Sequence, residues 1–138
     1  MKILHGKALS EGITTGQAKR LVREDLIIPD FIPENPDHEI ARFEDAFSKT
    51  KNEIISTMSR IQNHFTKDEV EIFEAHLAML DDPEYLKSIQ LLIMDEQMNA
   101  EQAVDIVTQR FSKALEELDD EYLQARSQDI QDVGSKVL

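Results

Sequence analysis

Asn35-Pro36-Asp37-His38-Glu39-Ile40-Ala41-Arg42-Phe43-Glu44-Asp45-Ala46-Phe47 is the stretch where the character of the chain changes. Asn35 before Pro36 reads as a helix N-cap followed by proline at the first helical position, where a missing N–H costs nothing. From there Ile40, Phe43, Phe47, Thr50, Ile54, Met58 and Ile61 recur every three or four residues. That spacing lines one face of a long amphipathic helix. Upstream the texture differs. Gly6, Gly12 and Gly16 punctuate the start, and Pro29, Pro33 and Pro36 cluster at the junction. The chain therefore reads as a Gly-punctuated segment with its linker over 1–32, then a helical region over 33–138.

The helical signals continue to the end. Thr66-Lys67-Asp68-Glu69 has the capping-box pattern and opens a second helix to about Leu80. Asp82-Pro83 caps a third, with Leu86, Ile89 and Ile93 inward. Asn99-Ala100-Glu101-Gln102 is another capping box, opening a helix whose inner face is Ala103, Val107, Phe111, Ala114 and Leu118. Asp119-Asp120 caps or kinks a last helix through Leu123, Ile130 and Val137. Gly134 within it costs roughly 1 kcal/mol relative to Ala. Short loops between such helices favour antiparallel packing, so the expected fold is mainly α: a bundle of two helical hairpins. Short strands are expected over 2–8, 12–18 and Leu26-Ile27-Ile28, too few to make a sheet alone. Their free edges would pair with another chain, giving a homo-oligomer.

Composition bounds the function. The chain has 138 residues, a net charge of -13 and no cysteine. Thiolate metal sites, disulfides and cysteine nucleophiles are excluded. Nucleic acid and anionic membrane surfaces are poor partners for an acidic chain, so neither is expected. No apolar run approaches the roughly 18–20 residues of a membrane span, and a cytoplasmic protein is the default expectation. The charge is uneven: residues 1–32 carry five basic and four acidic residues, whereas 33–138 carry ten basic and twenty-four acidic ones, net -14.

Catalytic signatures are missing. His5, His38, His64 and His76 fall in no metal-ligand spacing, and there is no phosphate-binding glycine loop. Asp81-Asp82-Glu84 and the acids over 116–121 read as solvated faces and caps, since the glycine of a calcium loop is absent. The second helix is more informative. Val70, Phe73, Leu77 and Leu80 form one apolar stripe; Ile72, Ala75 and Met79 form another, roughly 120° round the helix. The second stripe either packs on another helix or is a binding patch rimmed by acids. His76, between the stripes, reads as a core-edge histidine bonded to a carboxylate or carbonyl rather than a catalytic group.

Three stretches carry a resemblance. Leu9-Ser10-Glu11-Gly12-Ile13-Thr14-Thr15-Gly16-Gln17-Ala18, Ile72-Phe73-Glu74-Ala75-His76-Leu77-Ala78-Met79-Leu80-Asp81-Asp82, and Ala114-Leu115-Glu116-Glu117-Leu118-Asp119-Asp120-Glu121-Tyr122-Leu123 with Arg126 and Asp129-Ile130 occur in order. Together they resemble the N-terminal part of enzyme I of the bacterial phosphoenolpyruvate:sugar phosphotransferase system, a phosphoenolpyruvate-protein phosphotransferase. The resemblance implies an all-helical subdomain that binds the phosphocarrier HPr, inserted into an α/β phosphohistidine subdomain. It implies that 1–32 hold the first strands of that incomplete α/β part and 33–138 the helical one. The family's G-G-x-T-S-H phosphohistidine motif is not in this sequence, so the resemblance implies a chain truncated before it. It also implies a fragment that is inactive alone, with no cofactor of its own and no catalytic residue. Magnesium would belong to the parent enzyme. By position, the implied HPr contacts are Asp68, Glu69, Glu71, Ile72, Glu74, Ala75, His76, Met79, Asp82 and Glu84, with Leu115 and Arg126 from the second hairpin. Lys67 and Pro83 stand where the family often has acids. The alternatives are an enzyme I-like module of another phosphotransfer protein, such as a dihydroxyacetone kinase phosphoryl donor, or an unrelated helical adaptor.

Overall fold

Capping side chains decide where this chain turns. A computed structural model describes residues 3, 5–7, 11–13, 15–17, 19, 26–61 and 66–138. Within them, α1 runs Pro36–Ile61, α2 Lys67–Leu80, α3 Pro83–Asp95, α4 Ala100–Glu116 and α5 Glu121–Val137. Asn35 accepts from the Asp37 N–H at 2.9 Å. Thr66 and Glu69 form the expected capping box, with the Thr66 N–H donating to Glu69 at 2.8 Å. Asp82 accepts from the Tyr85 N–H at 2.8 Å and Asp120 from the Tyr122 N–H at 2.9 Å. Each satisfies an orphan donor of a first helical turn.

Asn99 does more than the sequence pattern implies. Its oxygen accepts from the Gln102 N–H at 2.9 Å, but the Gln102 side chain donates to Asp30 at 3.0 Å rather than closing a capping box. The Asn99 amide donates to the carbonyls of Pro29 and Phe31 at 3.0 and 3.1 Å. A buried asparagine thus clips the segment ahead of α1 to the start of α4. Glu39 of α1 reinforces the same end. Its carboxylate accepts from the Ala100 N–H at 2.8 Å and, on both oxygens, from Arg42 Nη1 at 2.9 and 2.8 Å, while Arg42 Nη2 pairs with Glu101. Burial pushes the Glu39 carboxyl up, but the Ala100 N–H and the Arg42 guanidinium outweigh it and hold it below the ordinary range.

The helical expectation holds, and among the described residues the strand expectation is not borne out. Leu26-Ile27-Ile28 forms no strand, and none occurs among the described residues. The expected strands over 2–8 and 12–18 fall partly outside the described residues; their described members are not in a strand. No sheet is present among the described residues to supply ladder partners, and short strands without one are unstable.

The core is shared by every helix. Phe43, Phe47 and Ile54 of α1 meet Leu80 of α2, Tyr85, Ile89 and Ile93 of α3, Val104 and Val107 of α4, and Val133 of α5. Phe43, Phe47, Tyr85 and Phe111 make a continuous aromatic chain, with successive centroids 4.6, 6.0 and 5.2 Å apart. The Tyr85 hydroxyl pairs with Thr108 at 2.6 Å. Burial pushes that phenol up to about 12, the Thr108 bond opposing it.

The packing of α4 on α5 uses small residues. The Ser112 hydroxyl donates to the Ser127 carbonyl at 3.2 Å, and Gly134 lies against Thr108. Pairing 112 with 127 and 108 with 134 makes the hairpin antiparallel. This close approach corrects the expected inner face of α4. Ala114 is exposed, and Leu118 lies beyond the helix end at 42% exposure. Val104, Thr108 and Ser112 take the buried positions instead, because small side chains let the helix backbones come closer there. Among the described residues, no helix is long and apolar enough to cross a membrane.

Candidate docking groove

Helix α2 turns one apolar stripe inward and leaves part of the other open. Phe73, Leu77 and Leu80 pack into the core. Ile72 stays 41% exposed, with Ala75 and Met79 half-buried beside it. Across from them α5 presents Tyr122, Arg126, Asp129 and Ile130, and Leu115 closes one end from α4. Together these walls bound a groove of about 300 Å³. The second stripe therefore faces another helix without being sealed by it.

Arg126 is the cation of this groove and is firmly held. It donates to the Tyr122 hydroxyl at 2.6 Å and to Asp129 at 3.2 Å, and its guanidinium lies 4.9 Å from the Tyr122 ring centroid. Tyr122 itself is 64% exposed. An aromatic ring and a fixed guanidinium at the mouth of an apolar groove are the residue types that dominate interface energies.

His76 corrects the sequence reading. It is only 5% exposed, yet neither ring nitrogen has a hydrogen-bond partner. The expected carboxylate or carbonyl is not there. Its ring edge meets Phe73 at 6.2 Å between centroids. Burial lowers its pKa, as do Lys136 and Arg126, while Asp129 and Asp132 oppose them.

The groove unites Ala75, His76, Met79, Leu115 and Arg126 from the expected set. Asp68 and Glu71 are exposed and lie within about 40° of Ala75 round the α2 axis, on the same helix face but outside the groove lining. Ile72 shares that face. Glu74 and Glu84 are exposed but do not line the groove. Glu69 and Asp82 are engaged as helix-capping groups. The backbone N–H and hydroxyl of Thr66 hold the Glu69 carboxyl below its ordinary range. Sequence reasoning left Ala78, Tyr122, Asp129 and Ile130 out of the site. Their signal was present: 75, 78 and 79, and 122, 126, 129 and 130, share faces at helical spacing.

Among the described residues, no three His, Cys, Asp or Glu side chains are grouped as metal ligands would be. Asp81 pairs with Lys51, and Asp82 and Asp120 are caps. The residues described here do not fit a magnesium site.

The sequence profile of the family described as PEP-utilising enzyme, N-terminal, matches residues 5–126. The chain belongs to this family. The match takes in all of α2 and reaches Arg126, so most of the groove lies inside the part by which the family is defined. A phosphoenolpyruvate-protein phosphotransferase of Geobacillus stearothermophilus is 39% identical over 137 residues, and one of Bacillus sp. (strain S) is 38% identical over the same length. Each alignment covers 99% of this chain and 24% of the relative. The chain thus spans about a quarter of the length of these curated relatives. An NMR solution structure titled Enzyme I (nEIt) superposes with a TM-score of 0.76 at 34% identity, over 83% of this chain and 47% of that one. These likenesses bear out the resemblance drawn from the three sequence stretches.

Proposed function

We propose that this chain is the HPr-docking module of an enzyme I, the protein that passes phosphoryl from phosphoenolpyruvate to HPr in bacterial sugar uptake. The supporting observation is the groove between α2 and α5. It has an apolar floor at Ala75 and Met79 and a fixed aromatic-arginine pair opposite, and the exposed acids Asp68 and Glu71 continue the same face of α2 beyond it. Acidic charges steer a basic partner and raise its on-rate, while a small apolar centre supplies an affinity low enough for rapid release. The helical region 33–138 carries this surface, and 1–32 is the part proposed to belong to the phosphohistidine subdomain. The module works in the cytoplasm, where the carrier resides. None of its histidines is proposed to accept phosphoryl, and the magnesium of the full reaction is assigned to the parent enzyme.

Titrating isotope-labelled chain with a cognate HPr tests this reading. Backbone NMR signals over 68–84 and around Leu115 and Arg126 should shift, and affinity should fall as salt rises. Unchanged spectra would overturn it. So would a phosphohistidine found by mass spectrometry after mixing the chain alone with phosphoenolpyruvate and magnesium.

A further inference from the structure

We propose that His76 is a proton-operated latch on the groove: neutral, its ring seals the seam between α2 and α5; protonated, it opens that seam. The inference rests on the docking reading only for its consequence for a partner. The latch itself is a property of the chain alone.

His76 is 5% exposed, and both ring nitrogens are buried without a hydrogen bond. A neutral imidazole tolerates this at modest cost; an imidazolium in the same place has an unpaired buried charge. The charges that act most strongly on the ring come from α5. Arg126 and Lys136 disfavour a proton, and Asp129 and Asp132 favour one. Of the other helices packed on α2, α1 offers Lys51, which is engaged with Asp81, and α3 offers Glu84, which is exposed. On α2 itself the neighbouring acid Glu74 is exposed.

A proton on His76 must therefore be answered from α5, and both carboxylates there are in use. Asp129 holds Arg126 at 3.2 Å, and Asp132 accepts from Gln128 at 3.1 Å. Drawing Asp129 inward releases Arg126, the cation of the groove wall. A second conflict arises at Phe73. Its ring lies against the His76 edge and already has the Lys136 ammonium 6.0 Å from its centroid. A new cation beside that ring repels Lys136 along the same seam. The first response unlocks the guanidinium of the groove wall, the second pushes the Lys136 end of α5 off the seam, and both act on the groove residues.

The sign is fixed by linkage. His76 is neutral in the fold, while the unfolded chain protonates near its ordinary value of 6.5. Its contribution to stability is complete above that value and is lost as pH falls below it towards the folded pKa.

The test follows His76 in the unaltered chain. Its imidazole carbon signals, read by NMR between pH 8 and pH 4.5, should titrate below the ordinary histidine value of 6.5. Amide exchange over residues 75–79 and 126–133 should accelerate in step, beyond the ordinary pH effect on the rest of the bundle. His76→Leu, which has no ring nitrogen to protonate, should lose this step and lose fewer degrees of Tm than the parent between pH 7.5 and 5.5. HPr binding should weaken several-fold over that range in the parent and less in His76→Leu. A His76 that titrates at or above 6.5 overturns the latch, even if His76→Leu fails to fold. So does an amide-exchange step that survives in His76→Leu. No HPr binding at pH 7.5 overturns the docking reading alone, because the ring titration and amide exchange need no partner.

Discussion

Two ends of the bundle handle buried polarity differently: at one, two buried side chains are bonded and a single Glu101 oxygen lacks a partner; at the other, both nitrogens of a buried ring lack one. Where α1 meets the start of α4, Glu39 and Asn99 are buried and their bonds run to neighbouring backbone: the Ala100 N–H, the carbonyls of Pro29 and Phe31, the Gln102 N–H. Where α2 meets α5, His76 is buried with nothing bonded to it, and apolar Ile72 and aromatic Tyr122 face outward. The first end closes the molecule on itself. The second leaves unused bonding capacity and unburied surface. The proposed docking role needs both, since a groove keeps its shape only if the frame behind it is rigid.

The largest expected effect tests that frame. A Cβ on Gly134 would lie 2.5 Å from Thr108 Cγ2 and 2.6 Å from its hydroxyl. Thr108 cannot swing away freely, because its hydroxyl donates to the Val104 carbonyl at 2.7 Å and pairs with Tyr85. Gly134→Val should therefore cost about 3 kcal/mol, the upper range for overpacking. Chemical denaturation measures it. A neutral or stabilised variant would show that α4 and α5 can separate cheaply, and the contrast between a rigid frame and an open groove would fail.

Gly134 also marks where sequence reading stops. In sequence it is a helix weakness of about 1 kcal/mol. In the fold it is the contact that sets the spacing of α4 and α5, made with a residue 26 positions away. The caps at Asn35, Thr66, Asp82 and Asp120 were legible because each acts on an N–H two or three residues ahead. The inner face of α4 was legible only in its first turns. Beyond Val107 the rotation follows the small residues of α5, and Ala114 and Leu118 end outside. The same limit applies to the groove. Its α2 wall follows from a doubled apolar stripe on one helix. Its α5 wall needs the register of a second helix, which no local pattern encodes. That His76 lacks a partner is a fact about every neighbour at once.

A middle-sized effect separates the two ends by pH. Glu39 has its carboxyl held below the ordinary value of 4.5, burial opposing and the Ala100 N–H and Arg42 prevailing. Its stabilisation is present above that value and is lost as pH falls through the folded pKa. Glu39→Gln should cost about 1.5–3 kcal/mol at pH 7, the worth of a charged hydrogen bond. It should also flatten the loss of stability between pH 5 and pH 3. Equal acid limbs in variant and parent would show that this carboxylate does not govern the acid side. HPr binding by the folded variant at pH 7 should be unchanged.

The smallest effect on stability falls on Ile72, and it inverts the pattern. Ile72 is 41% exposed on the open face of α2, so removing its side chain uncovers little core. Ile72→Ser should change folding stability by no more than about 0.5 kcal/mol, the usual range for surface positions. Its effect should appear on the partner instead. An exposed branched apolar residue beside Ala75, with the exposed acids Asp68 and Glu71 on the same helix, gains its burial only when something docks. Losing it should weaken HPr binding roughly tenfold, as for a hot spot at the centre of a small interface. Isothermal titration with the same HPr, alongside denaturation of the free chain, reads both quantities. Weaker binding with unchanged stability places the energetic centre of the interface on α2. A variant that binds normally moves that centre to Tyr122 and Arg126, where the exposed ring and the fixed guanidinium already stand in position.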